Sequence, residues 1–115
     1  MQQHETQTLF LLHSASGRIA LRKRPAKGIL AGLWEYPSVP GTLSQTAAAK
    51  WLTGQNLEFD GLEKTGSRKH VFTHVEWHMT VWRAKCRTEN PLFTWVTAEE
   101  QKTAYPLPSA FKGFC

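Results

Sequence analysis

The strongest constraint on this chain is an alternation near its middle. Val71, Thr73, Val75, Trp77, Met79 and Val81 interleave with His70, His74, Glu76, His78 and Thr80. Successive side chains of a strand point to opposite faces, so this period of two predicts one long strand, or a bent pair, with one buried face. Such a strand needs neighbours. The run Leu9–His13 and the stretch Ile19–Arg24, joined by the turn residues Ser14–Gly17, read as a hairpin. In the second arm Ile19 and Leu21 share one face, and Arg18, Ala20, Arg22 and Arg24 the other; Pro25 then ends the ladder. Leu33–Pro37 is a short buried-strand candidate, Leu57–Leu62 a weaker one, Gly66–Lys69 a basic turn, and Phe93–Val96 a further strand.

Helical signals are fewer. Thr42 and Gln45 have capping-box spacing, Ala47, Ala48, Trp51 and Leu52 fall on one helical face, and Gly54 is a stop. One main amphipathic helix is therefore expected over Leu43–Thr53, with a helical turn at Ala98–Thr103 and a short C-terminal helix at Pro106–Phe111. A mixed β-sheet with these helices is an α+β fold. At 115 residues the chain suits a single domain, 1–115, and nothing in it reads as a linker or a repeat.

Composition narrows the function classes. With 41% hydrophobic and 20% charged residues the chain is not of the disordered type. No apolar run approaches the ~20 residues of a membrane helix, and the polar opening Met1–Thr8, with Glu5, is not a signal peptide; a cytoplasmic setting and no membrane partner are expected. The net charge of +5 favours polyanionic partners without requiring one. Two cysteines, Cys86 and Cys115, build neither a disulfide framework nor a four-ligand metal site. The tryptophans Trp34, Trp51, Trp77, Trp82 and Trp95 read as core, with Trp82, opposite in face to Trp77, the one to watch as a stacking platform. His70, His74 and His78 recur every four residues, but along a strand that spacing is about 13 Å, so they share no ion and no metal is expected.

Leu33-Trp34-Glu35-Tyr36-Pro37, Gly41 and the Ala-rich helix after them resemble the middle of a Nudix domain. Nudix hydrolases use helix carboxylates to hold Mg²⁺ against a pyrophosphate and help activate water. The positions matching their motif are Lys50, Trp51, Leu52, Thr53, Gly54 and Gln55, with no carboxylate among them. The resemblance thus implies the shape, an α/β/α Nudix-like sandwich, without pyrophosphatase chemistry.

Three separated motifs make the resemblance more specific. Arg24-Pro25 with Gly28 to Pro37, Lys69 to His74 followed by Trp77, and Tyr105 to Lys112 are similar, in order, to the C-terminal domain of MutY-family adenine DNA glycosylases. That family removes adenine mispaired with 8-oxoguanine. Its N-terminal part, with helix-hairpin-helix fold and a 4Fe-4S cluster, holds the catalytic carboxylates and extrudes the adenine. Nothing here matches that part, so no catalytic residue and no cofactor are expected in this chain.

The resemblance implies 8-oxoguanine recognition by Phe72, Thr73 and His74. Thr73 stands where the family more commonly has serine; it keeps the hydroxyl and adds a methyl. The implied partners are duplex DNA containing 8-oxoguanine·adenine and the glycosylase's own N-terminal catalytic domain, in a bacterial, DNA-associated cytoplasmic setting. Candidates for contact with the DNA backbone are Arg22, Lys23, Arg24, Lys27, Arg68 and Lys69; against them stands an ordinary solvated surface, and against Phe72–His74 plain strand residues. Two alternatives remain: a Nudix-type pyrophosphatase with metal ligands displaced to Glu58, Asp60, Glu63, Glu99 or Glu100, and a protein-interaction module on the same fold.

Overall fold

The apolar run Leu9–Leu12 is the buried centre of a much longer strand. In the computed structural model, which describes residues 3–114, β1 spans Gln3–Ser14 and β2 Ile19–Lys23. They are followed by β3 (Trp34–Glu35), β4 (Ser38–Pro40), α1 (Gln45–Gly54), β5 (Phe59–Val71), β6 (Val75–Cys86), β7 (Thr94–Val96) and α2 (Ala98–Thr103), and a 3-10 turn at Ser109–Phe111 closes the chain. The seven strands form one mixed sheet in the order β3-β2-β1-β6-β5, with β4 on β1 and β7 on β2. The pair β1 and β6 is parallel from Gln3↔Val75 to Ser14↔Cys86; the other pairs are antiparallel. The α+β expectation holds, with the main helix and the terminal turn on opposite faces of the sheet.

The alternating stretch resolves into the bent pair. β5 ends at Val71, the chain turns through Phe72–His74, and β6 begins at Val75. The expected single buried face is not found. On β6, Trp77, Met79 and Val81 enter one core cluster, with Leu9, Leu11, Ile19, Leu21 and Phe111, while Trp82, Ala84 and Cys86 enter a second, with Phe10, Leu12, Ala20, Ala48 and Leu52. The C-terminal segment, through Leu107, Ala110 and Phe111, packs over the first face and α1, through Ala48 and Leu52, over the second, so both faces of β6 are covered. The same holds for Ala20 of β2, expected outside with the arginines and fully buried. Trp82 is core as well, its Nε1 donating to the Leu43 carbonyl at 3.3 Å. Burial pushes the Cys86 thiol up to about 11, so it stays a neutral apolar filler; Cys115 lies outside the described residues.

Three local expectations are displaced. The cap of α1 is Ser44 rather than Thr42: its Oγ accepts from the Ala47 amide at 3.2 Å. Gln45, one residue inside the helix, donates instead to Leu62 O at 3.1 Å, so no reciprocal box forms. Gly54 is the last helical residue, and it is Asn56, at φ 60, that takes the left-handed conformation ending the helix. Finally, Gly66–Lys69 is no turn. It runs within β5, where the register shifts between Lys64 and Gly66, and Gly66 at φ 143 supplies the backbone geometry of that bulge.

A buried carboxylate joins β2 to β3. Glu35 is 2% exposed. Its Oε2 accepts from Arg22 Nε at 2.8 Å and its Oε1 from Arg24 Nη1 at 2.7 Å. Arg22 also donates to the carbonyl of Ser38, on β4, at 2.6 Å. Removing one member of such an arrangement leaves uncompensated charge in a poorly solvated place. Glu35→Ala is expected to lower unfolding free energy by about 3–5 kcal/mol, measured by urea denaturation. A loss below about 1 kcal/mol would show that the guanidinium groups find water and that the clamp is dispensable.

Candidate nucleic-acid interface

The hairpin tip is built from the turn residues inward. The Phe72 amide donates to the Val75 carbonyl at 2.7 Å, and the His74 carbonyl accepts from the Gln3 amide at 2.9 Å, so the turn is tied to its own strand and to β1. The Phe72 ring makes edge contacts with Trp77 and His70, each at 4.8 Å between centroids, and packs against the first core cluster. Trp77 is buried and donates its indole N–H to Glu5 Oε2 at 2.9 Å. Aromatic pairs of this kind contribute about 0.5–1.5 kcal/mol each beyond area burial. Phe72 is therefore the anchor of the turn. Thr73 and His74 are exposed, and their side chains have no protein partner among the described residues.

Arg24 supports this tip from behind. Its guanidinium lies 5.0 Å from the Trp77 ring centre, so the cation faces the π system that Phe72 touches on its edge. Its Nε donates to the Ile29 carbonyl at 2.9 Å, which holds the loop after β2. That loop is closed by Arg24 N to Leu33 O at 2.8 Å and Gly32 N to Pro25 O at 3.0 Å. Leu30 sits there at φ 57, a region leucine rarely adopts, with its side chain packed on the first cluster. One arginine thus links the buried Glu35, the loop and the aromatic base of the turn.

The six candidate backbone cations divide into two groups. Arg22 and Arg24 are committed to Glu35, and the Arg68 guanidinium donates to the carbonyls of Lys112 and Gly113 while lying 4.1 Å from the Phe114 ring centre. Lys23, Lys27 and Lys69 are exposed; of these Lys69 has Glu76 at 3.8 Å and the other two have no ion-pair partner among the described residues. Lysines can turn outward to a phosphate, whereas the three arginines would first have to give up an internal partner.

The histidines are distributed by the hairpin. His70 is on β5 against Phe72, His74 is in the turn, and His78 is on β6. His78 meets Glu76, two residues before it on the same face of β6, and His4, which spacing along one strand could not bring to it, across the parallel pairing with β1.

The helix at the Nudix position does not fit Mg²⁺. α1 reads Gln-Thr-Ala-Ala-Ala-Lys-Trp-Leu-Thr-Gly and offers no carboxylate. Of the displaced candidates, Asp60 is paired with Arg87 and Glu100 closes a capping box with Thr97. None of Glu58, Asp60, Glu63, Glu99 or Glu100 joins a group of three donors close enough to share an ion among the described residues. No step of metal-assisted hydrolysis is assigned to this chain.

The NUDIX domain family matches residues 8–114. The human adenine DNA glycosylase is 32% identical over 99 residues, covering 76% of this chain and 18% of the human protein. The mouse adenine DNA glycosylase is 32% identical over 93 residues, again with 18% of that protein covered. The chain thus spans less than a fifth of the length of these relatives. Among solved structures, the C-terminal domain of mouse MUTYH, in its complex with human PCNA, superposes with a TM-score of 0.74 at 24% identity, covering 94% of this chain and 82% of that one. A MutT NUDIX hydrolase from Burkholderia pseudomallei gives 0.68 at 18% identity, covering 95% and 93%.

The division of labour within the turn has a direct consequence for stability. Phe72→Ala is expected to cost about 2 kcal/mol, less than the ~3–5 kcal/mol of a fully buried ring. Thr73→Ala and His74→Ala should stay within about 0.5 kcal/mol of the parent in the same urea titration. A larger loss at Thr73 or His74 would mean that the turn needs them for its own structure and does not present them outward.

Proposed function

This chain belongs to the NUDIX domain family, and we propose that within that family it is the damage-reading domain of an adenine DNA glycosylase, recognising 8-oxoguanine opposite adenine through Phe72, Thr73 and His74. The observation that carries the proposal is the hairpin tip: two polar side chains without a protein partner among the described residues, exposed on a turn whose aromatic anchor is partly buried. It occurs in a chain similar to adenine DNA glycosylases over most of its length. The catalytic carboxylates and the 4Fe-4S cluster belong, on this reading, to a separate N-terminal domain with which this one cooperates.

The chemistry of the lesion suits a hydroxyl. Relative to guanine, 8-oxoguanine gains a hydrogen on N7 and a carbonyl at C8, so its Hoogsteen edge offers one new donor and one new acceptor. A threonine hydroxyl can accept from the first or donate to the second. Phe72 holds the turn, Thr73 addresses the edge, and His74 adds a second polar group. Lys23, Lys27 and Lys69 contact phosphates and orient the domain without reading sequence. One net hydrogen bond is worth about 0.5–1.5 kcal/mol, which is up to about tenfold in preference.

A protein-interaction role has one observation behind it, since the solved mouse MUTYH domain was captured with human PCNA. The two roles make different predictions in one experiment. The chain is titrated by fluorescence anisotropy with duplexes carrying 8-oxoguanine·adenine or guanine·adenine. The parent should prefer the lesion duplex, Thr73→Val should shrink that preference by up to about tenfold, and Thr73→Ser should retain it. An unchanged ratio for a folded Thr73→Val variant would remove the hydroxyl from the reading, and no lesion preference in the parent would favour the interaction module.

A further inference from the structure

We propose that His4, Glu76 and His78 form a binding site for a single divalent transition-metal ion, zinc by its donor chemistry, beside the tip of the β5–β6 hairpin. The site stands on geometry independent of the lesion-reading proposal. In the parallel pairing of β1 with β6, His4 is opposite Glu76 and Thr6 opposite His78. Residues 76 and 78 share a face of β6, and that face is also the one to which His4 is directed, so three donors converge.

The distances are those of a compact donor set. Glu76 Oε2 lies 2.6 Å from His78 Nε2 and 2.9 Å from His4 Nδ1, and the two imidazole nitrogens are 3.2 Å apart. A tetrahedral zinc with bonds of about 2.0–2.1 Å places its ligand atoms about 3.3 Å from one another. From 2.6, 2.9 and 3.2 Å, the three atoms therefore need to spread by less than about 1 Å. His4 and His78 have side chains 60% and 44% exposed, which gives them that freedom, whereas Glu76 is 12% exposed and fixed. In the metal-free structure Glu76 Oε2 lies within hydrogen-bond distance of both imidazoles.

Two imidazoles and one carboxylate select a borderline ion such as zinc over magnesium or calcium, which prefer all-oxygen sets. Three protein ligands leave a position for water. One group opposes the ion: Lys69 Nζ is 3.8 Å from the other Glu76 oxygen. Occupancy would pin the start of β1 to the start of β6, beside the point where the Gln3 amide meets the His74 carbonyl. The recognition turn would then be held by a metal bridge as well as by its hydrogen bonds.

The test is calorimetric titration of the tag-free chain, in a Cys115→Ser background, with zinc chloride, alongside ¹H–¹⁵N spectra of the histidine rings. One ion per chain is expected, with ring shifts at His4 and His78 and none at His13, His70 or His74. His4→Ala and His78→Ala should each weaken binding by more than the about 10–100-fold that loss of a mere supporting group costs. Lys69→Gln should tighten it, which an adventitious surface site would not do. His4 is exposed, so its variant tests the site even if His78→Ala disturbs the strand. Absence of saturable one-to-one binding, or binding indifferent to His4→Ala, would overturn the proposal.

Discussion

Glu35 gives both carboxylate oxygens to guanidinium groups, Oε2 to Arg22 and Oε1 to Arg24, from a position closed to water. Moving a carboxylate out of water costs several kcal/mol, and the paired arginines offset that cost only while both keep their places. The clamp therefore sets where β3 lies on β2, through the Arg22↔Glu35 pairing, and where β4 lies relative to both, through Ser38. It also fixes Arg24 in space. From the carboxylate, Arg24 reaches the face of Trp77, and Trp77 in turn carries the edge of Phe72. The orientation of the exposed turn is thus traceable, contact by contact, to a buried charge on another strand.

The same clamp changes the meaning of the net charge. Counted along the sequence, Arg22, Lys23, Arg24 and Lys27 form a basic cluster beside the glycine-containing loop. In the fold, the two arginines neutralise Glu35 and only the lysines remain directed outward. Arg68 follows the arginines, capping the C-terminal segment through its carbonyls and the Phe114 ring. Guanidinium groups are less strongly hydrated than ammonium groups and carry several donors in a plane, so they take the interior partners. What is left for a polyanion is weaker and more mobile than the sequence count implies.

Much of the sheet was legible in the sequence because alternation and turn residues act locally. The β1–β2 hairpin, the short strand at Trp34–Glu35, the main helix and the helical turn at Ala98–Thr103 lie where those signals put them. The failures have one physical source. Whether a strand is buried on one face or two depends on what packs over each face of the sheet, and here α1 covers one face and the C-terminal segment the other. For that reason Ala20 went inward against expectation and Trp82 joined the core instead of forming a platform, while pairing with β6 carried β5 through the basic stretch at Gly66–Lys69. The parallel pairing of β1 with β6 joins residues about seventy positions apart, as in His4 with His78. No spacing rule within one strand could have found that cluster. The turn at Phe72–His74 was legible only as a resemblance; its exposure, and its support by Arg24, came from the fold.

The Nudix fold here keeps its sheet and helix while α1 carries no acidic residue, and the proposed function places recognition at the hairpin tip. The most direct measurement of that claim is a pair of ¹H–¹⁵N titrations of the labelled chain with two duplexes that differ only in 8-oxoguanine or guanine opposite adenine. A damage-reading tip gives shared, salt-sensitive shifts around Lys23, Lys27 and Lys69, and shifts specific to the lesion duplex at the amides of Thr73 and His74. Identical spectra with both duplexes, or lesion-specific shifts that leave residues 72–75 unmoved, would contradict it.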